Sequence, residues 1–198
     1  TSNLAGIAED TTVYEPTAGN GMLLIGASQD NAIVNELNDL RVKQLRAQGY
    51  KVTQKDATNF VPDEKVDSAI MNPPFGKLDQ AVKYDGYDIK SIDHLIVAKA
   101  LESISDNGKA SIIIAAKKEP GVIGAADRTF FNWLYSNYNV ADHFEVSGDL
   151  YSRQGASWPV RVITVNGRKE SNKFSPKSGS IERVNSWEEL YERYNEAM

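Results

Sequence analysis

Seven short runs rich in strand-forming residues recur along the 198-residue chain, and stretches with helical spacing separate them. That alternation admits few architectures besides a largely parallel sheet layered with helices. The runs are Thr12 to Glu15, Ala32 to Glu36, Lys51 to Gln54, Val66 to Met71, Ala110 to Ala115, Ala141 to Val146 and Val160 to Val165. Helices are predicted at Gly21 to Ala27, Asp39 to Gln48, Ile92 to Ser105 and Asp127 to Tyr138. In the third of these Leu95, Ala98, Leu101 and Glu102 recur at three-to-four residue spacing, and Asn107-Gly108 reads as its C-terminal stop. Residues 59–65 are too short for a helix and contain Pro62, so a loop or single turn is expected there. The fold class is α/β with a single core over residues 1–166. Residues 167–198 begin as a polar linker and end in a short helix from Ser186, whose spacing to Glu189 is that of a capping box. Trp187, Leu190, Tyr191 and Tyr194 are predicted to share one face of that helix.

The chain has no cysteine, which excludes disulfides, thiolate zinc sites and a cysteine nucleophile. With only His94 and His143, a histidine-rich metal centre is also not expected. No apolar run approaches the roughly 20 residues that cross a bilayer, and Thr1 to Asp10 lack the blocks of a signal peptide. These features predict a soluble, cytoplasmic protein with no membrane or metal partner. A chain of net charge −5 is a poor match to a free-standing nucleic-acid binder. Either its basic residues cluster on one face or another module holds such a ligand. The start at Thr1 is what a piece of a larger polypeptide would show.

The first run feeds the turn Glu15-Pro16-Thr17-Ala18-Gly19-Asn20-Gly21. Glycines there allow a sharp bend and close approach of a ligand to backbone, a pattern that many nucleotide-binding folds share. Glu36 ends the second run, where a carboxylate can accept from both hydroxyls of a ribose. The spacing suits a dinucleotide almost as well. However, the glycine after Gly19 and Gly21 is Gly26, so the third glycine of the dinucleotide fingerprint is missing. A sulfonium donor carries no pyrophosphate and has no need of it, which favours S-adenosylmethionine over NAD. Asp56, with Ala57 beside it, follows the third run and is placed to accept from an adenine amine, and Leu37 to cover the ring.

The fourth run ends in Asn72-Pro73-Pro74-Phe75. An amine conjugated to a ring is a feeble nucleophile because its lone pair is delocalised. The Asn72 side-chain oxygen and the Pro73 carbonyl can each accept one N–H, which draws the nitrogen toward tetrahedral geometry. Pro73 and Pro74 hold both oxygens in place beforehand, so no reorganisation is needed at the moment of reaction. Phe75 offers a flipped base a stacking surface worth about 1–3 kcal/mol. Absence of cysteine closes the route to methylation of cytosine at carbon 5, which requires a covalent adduct.

On these motifs the chain resembles the Rossmann-like, S-adenosylmethionine-dependent amino-methyltransferases, and among them the N6-adenine DNA methyltransferases, from Thr12 to about Val165. The resemblance assigns Glu15, Pro16, Thr17, Gly19, Gly21, Glu36, Leu37, Asp56 and Ala57 to the donor and Asn72, Pro73, Pro74 and Phe75 to catalysis. It implies a class I methyltransferase sheet of seven strands in the order 3-2-1-4-5-7-6, mostly parallel with the seventh antiparallel. A closing hairpin is implied around Tyr151 to Val165. It also implies a DNA acceptor, single-stranded or presented by another domain of a larger polypeptide. Methyltransferase modules of phage and plasmid anti-restriction polypeptides are similar. Members usually carry a donor-contacting segment before the first strand, where this chain has only Thr1 to Thr11. They also carry a target-recognition domain after the last strand, where about thirty residues remain. Methylation of a protein glutamine or an RNA amine stays open, as does an inactive donor-binding module.

Three further segments are candidates for acceptor contact: Lys77 to Ile92, expected to be a loop, Lys117 to Gly124, and Arg153 to Trp158. Lys169, Lys173 and Lys177 read as a charged linker. His94, His143 and the aromatic residues Phe130 and Trp133 read as structural.

Overall fold

The computed structural model describes residues 3–151 and 158–196, so 152–157 of the expected closing hairpin and of the Arg153 to Trp158 candidate lie outside the described residues. The central sheet is built from β1 (Val13–Glu15), β2 (Ala32–Asn35), β3 (Val52–Thr53), β4 (Val66–Met71), β7 (Ile104–Ala115), β8 (Val140–Val146), β9 (Val160–Asn166) and β10 (Arg183–Val184). A separate hairpin, β5 (Lys77–Tyr84) and β6 (Tyr87–Ser91), lies between β4 and the following helix. The helices are α1 (Asp39–Ala47), α2 (Ile92–Leu101), α3 (Ala125–Asn137), the short α4 (Gly148–Tyr151) and α5 (Trp187–Glu196). No helix among the described residues is long and apolar enough to cross a membrane.

The strand order is β10-β8-β9-β7-β4-β1-β2-β3. Strand β9 runs antiparallel to β7 and β8, and the remaining ladder pairs are parallel. Without β10, this is the seven-strand order that the resemblance implies. Strand β4 is buried at five of its six positions, as a parallel strand covered on both faces must be. One face of the sheet carries Tyr14, Met71, Ile112 and Ile163 against α2 and α3. The other carries Val13, Val34 and Ile70 in one cluster and Ile113, Phe144 and Val162 in a second.

Four expectations require correction. Gly21 to Ala27 forms only a 3-10 turn, Met22–Leu24, because Gly21 and Gly26 both adopt left-handed backbone (φ 84° and 94°) and bound it on either side. Helix α2 stops at Leu101, and Asn107-Gly108 lies within β7. There the register against β4 jumps from Val66–Ile104 to Ser68–Lys109. A Cβ at Gly108 would sit 2.9 Å from that of Ile104, so the chain can double back only with glycine at this position. Residues 77–92 are a hairpin rather than a loop. It closes on Asp85-Gly86, whose positive φ angles (49° and 83°) belong to the tight turn that matches strand twist. Finally, the segment after Val165 is more than a linker, since β10 extends the sheet beside β8.

Helix α5 is capped as expected on one side, with the Ser186 hydroxyl accepting from Glu189 N–H at 3.1 Å. Glu189 reaches back one residue further than expected, to Asn185 N–H at 2.8 Å. Leu190 packs on the second cluster, but Trp187 and Tyr191 are largely exposed. Arg193 also docks the helix: it lies over Phe144 and pairs with Asp142 and Glu182 at 2.7 Å each.

Candidate functional site

The chain order reverses between β1 and β4, which are neighbours in the sheet. A crevice must therefore open at their carboxyl ends, where connections leave in opposite directions. Both sequence motifs stand there. The turn after β1 is tied to the tip of β2: Asn35 Nδ2 donates to the Pro16 and Lys55 carbonyls at 2.9 Å each, and Ala18 N–H donates to the Asn35 carbonyl at 2.9 Å. The Asn35 oxygen accepts from Thr53 Oγ1 and Lys55 N–H, so this buried amide is fully satisfied. Sequence reasoning missed Asn35, although a lone amide closing an apolar strand was a visible signal. Gly19 and Gly21 are both left-handed (φ 58° and 84°), and a Cβ at Gly19 would project into open space in the cavity.

Glu36 has a structural duty that the sequence did not disclose. Its carboxylate accepts from Gly19 N–H and Asn38 N–H at 2.8 Å each, one oxygen apiece, and so fixes the turn. Each oxygen keeps a further lone pair for a ligand. Asp56 uses one oxygen to hold Thr58, through N–H at 2.9 Å and hydroxyl at 2.8 Å, and its other oxygen has no partner among the described residues. Leu37 is 61% exposed at the cavity wall, and Ala57 is buried beside it. Pro16, Thr17, Gly19, Glu36, Leu37, Asp56 and Ala57 all line one cavity of about 1740 Å³, which also runs on over the sheet to α5.

Glu15 is wholly buried, and neither of its oxygens has a hydrogen-bond partner among the described residues; nor has the buried Thr17 hydroxyl. Burial, offset in part by the Thr17 backbone and reinforced by the Glu36 charge, holds the Glu15 carboxyl well above its usual range. A carboxyl in this state lacks a cationic partner.

Asn72 and Pro74 line the same cavity as the donor-site residues, while Pro73 is buried between them. The Asn72 side chain is exposed and makes no hydrogen bond among the described residues, so its amide is available to a ligand. Phe75, 41% exposed, faces a second cavity of about 640 Å³. Gly76, Lys77 and Leu78 continue that wall. Ala116, Lys117 and Trp158 stand in the other wall, and Asp93 and His94 at the start of α2 also line the slot. The tetrapeptide is therefore a partition, with the donor-motif cavity on one side and an aromatic-walled slot on the other.

The far wall is held by a buried chain of charges that sequence reasoning did not find. Asp127 pairs with Arg161 at 3.2 Å, Arg161 with Glu145 at 3.3 Å, and Glu145 with Arg183 at 2.6 Å. These groups bond directly to the backbone of the loop between β7 and α3. Arg183 also donates to the carbonyls of Lys117 and Lys118 at 2.5 Å each and of Glu119 at 3.4 Å. Glu145 accepts from Gly121 N–H at 2.9 Å, Arg161 donates to the Val122 carbonyl at 2.6 Å, and Asp127 accepts from Gly124 N–H at 3.0 Å. Ser178 and Gly179 add bonds to Ile123 and Gly121. The four charges come from α3, β9, β8 and β10, so only the tertiary fold brings them together.

The remaining candidates are structural in character. His94 is buried, stacks on Phe130 at 4.3 Å, and is held below its usual range by burial. His143 shares a hydrogen bond with the Tyr135 hydroxyl at 3.1 Å, and burial pushes it down to about 3. Phe130 and Trp133 are core residues. Lys173 donates to the Ala141 carbonyl. Among the described residues, no group of three or more His, Asp or Glu is placed to hold a metal.

No protein-family model matches the sequence, and no curated protein matches it significantly. Solved structures do match the fold. The methyltransferase subunit of a type I restriction-modification system from Streptococcus thermophilus superposes with a TM-score of 0.67 at 15% identity, over 99% of this chain and 51% of that one. A class I S-adenosylmethionine-dependent methyltransferase from Listeria monocytogenes gives 0.62 at 14% identity, over 94% and 63%. The M protein of the type I restriction enzyme EcoKI gives 0.63 at 11% identity, over 93% and 46%. The chain thus spans 63% of one of these proteins and about half of the other two. What it shares with them is the fold, the Rossmann-like α/β sheet of class I methyltransferases with its antiparallel strand pair.

Proposed function

We propose that this chain binds S-adenosylmethionine in the cavity beside β1 and β2 and transfers its methyl group to an exocyclic amino nitrogen, adenine N6 in DNA. One observation carries the reading. Asn72-Pro73-Pro74-Phe75 stands between a cavity lined by the donor motif and a slot walled by Phe75 and Trp158, and the Asn72 amide, on the wall of the first, has no hydrogen bond among the described residues. The matched proteins from Listeria and of EcoKI, a methyltransferase and a modification protein, support the same assignment at the level of fold.

The residues present suit the donor. Glu15, buried without a partner, meets the need of an ammonium group, and Thr17 offers a hydroxyl beside it. Glu36 retains lone pairs for ribose hydroxyls, the free oxygen of Asp56 can accept from the adenine amine, and exposed Leu37 covers the ring. When bound, the donor supplies an electrophilic methyl on a sulfonium. On the other side, Phe75 stacks the acceptor ring, and the Asn72 oxygen and Pro73 carbonyl accept its two N–H bonds, which localises the nitrogen lone pair toward the partition. Attack would be direct: the carbon–sulfur bond would break as the nitrogen–carbon bond forms, the thioether would leave with the spent donor, and the nitrogen would shed its proton to solvent, with no covalent enzyme adduct.

The test is transfer of labelled methyl to DNA, RNA and protein pools by wild type and Asn72→Ala. Loss of one preorganised acceptor should lower turnover by about 10²–10³ with donor affinity unchanged by calorimetry. Label confined to protein would assign the slot to a glutamine side chain instead. Donor binding without turnover on any pool would make the chain a binding module.

A further inference from the structure

A chain of net charge −5 has to resolve how it would hold a polyanion, and the slot supplies an answer. Four lysines stand around its mouth, two on each wall. Lys77 and Lys90 lie on adjacent strands of the β5–β6 hairpin. Lys117 lines the opposite wall, and Lys118 sits over the Trp158 ring at 5.2 Å. All four are exposed, and none has a carboxylate within ion-pair distance among the described residues. Of the acids lining the slot, Asp93 is buried and accepts from Ala115 N–H, and Asp127 is buried and paired with Arg161. Asp79 is the acid left exposed there. With these lysines gathered at one mouth, the remainder of the chain is more acidic than its total.

We propose that this lysine rim is the contact surface for the backbone of an unpaired nucleic-acid strand, which crosses the slot mouth and drops one base between Phe75 and Trp158. The inference rests on the reading of the slot as an acceptor site and adds the form in which the acceptor arrives. Exposed aromatic rings interleaved with ammonium groups suit single strands, where stacking and phosphate neutralisation hold a strand without reading base edges. A duplex would lay its second phosphate strand against the acidic remainder of the surface. Rigidity matters as well. The wall bearing Lys117 and Lys118 is fixed by Arg183 through their own carbonyls, so these two cations are presented with little loss of backbone freedom on binding.

The experiment measures anisotropy of a labelled single-stranded oligonucleotide of about 12 nucleotides containing one adenine, over about 50–200 mM salt. Wild type is compared with Lys77→Gln/Lys90→Gln and Lys117→Gln/Lys118→Gln. For single strands each contact contributes about −0.7 to the slope of log affinity against log salt, so wild type should approach about −3 and each double variant lose about 1.4 of that. Melting temperature and donor binding should stay unchanged in both variants, and the corresponding duplex should bind more weakly than the strand. Equal slopes in wild type and both variants, no binding of the strand at low salt, or a duplex bound as tightly would each overturn the proposal. Lysine-dependent strand binding without methyl transfer would leave the surface standing and refute the catalytic reading. Methyl transfer to adenine in duplex DNA with no strand binding would do the reverse.

Discussion

Arg183→Met should destabilise the protein by about 3 kcal/mol, at the lower end of the cost of breaking a buried ion pair. The size follows from what each partner retains. Arg183 is nearly buried, with 8% of its side chain exposed, and meets Glu145 through Nε at 2.9 Å and a terminal nitrogen at 2.6 Å. Without it, Glu145 remains inaccessible but keeps Arg161 at 3.3 Å and Gly121 N–H at 2.9 Å, so its charge is under-compensated rather than orphaned. The carbonyls of Lys117, Lys118 and Glu119 lie in an exposed stretch, where water replaces the lost donors at small cost. For a chain of this size about 3 kcal/mol corresponds to roughly 6–12 °C in melting temperature. Calorimetric melting measures that shift, and hydrogen exchange at Gly121 and Ile123 should speed up together, because their acceptors belong to the same loop lattice. Adding Glu145→Gln should cost less than the sum of the two single changes, since the pair acts as a unit. A melting point within about 2 °C of wild type, with Gly121 exchange unchanged, would refute the claim that β10 positions this wall.

Other consequences follow from the donor side and from the histidines. Glu36→Ala removes the acceptor of both Gly19 and Asn38 N–H, so donor affinity by calorimetry should fall by about tenfold to a hundredfold, with turnover at saturating donor less affected. The Glu15 carboxyl is held above 4.5 in the folded chain, so its contribution to stability is complete below that pH and is lost as pH rises through the folded value. Glu15→Gln should therefore raise the melting temperature at neutral pH. It should also abolish the rise of donor affinity with pH that is expected of wild type, where an ammonium would stabilise the carboxylate. His143 behaves oppositely. Its folded value near 3 lies below 6.5, so the stability it contributes is complete above 6.5 and drains as pH falls toward 3, which denaturant midpoints across that window will record and His143→Gln will flatten.

The features legible in the sequence are those set by local pattern. Val66 to Met71 and Ala141 to Val146 fall within a residue of β4 and β8 because strand-forming or apolar residues close each run, Ala69 to Met71 in one and Phe144 and Val146 in the other, despite the polar residues between. Asp39 to Gln48 matches α1 within a residue, since Asn38 caps it through Leu40 and Arg41 N–H. The hairpin after Phe75 is written in the sequence too: Asp85-Gly86 is a strong turn signal, and Leu78, Tyr84 and Ile89 on either side of it face the core among charged and aromatic neighbours. The bulge at Asn107-Gly108 was not readable, because Asn-Gly ends a helix and interrupts a strand equally well, and only the pairing of Ser68 with Lys109 decides. At the site, Glu36 lines the cavity at the tip of β2, but its bonds to Gly19 and Asn38 depend on a turn whose path the residue types do not specify.

Net charge is a coarse guide to a polyanion site for a physical reason. It treats the molecule as one point, whereas at physiological salt a charge is felt over only about 8 Å. A phosphate at the slot mouth therefore responds to Lys77, Lys90, Lys117 and Lys118, and the acids elsewhere act only on whatever extends beyond that range. The same screening turns the acidic remainder into a filter rather than an obstacle, since it penalises a broad polyanion and leaves a narrow one unaffected. Each lysine pair also stands on a rigid base, Lys77 and Lys90 on paired strands and Lys117 and Lys118 on carbonyls that Arg183 holds. The spacing of charge across the mouth is consequently a property of the fold. Loosening the Arg183 wall should weaken strand binding with all four lysines still present.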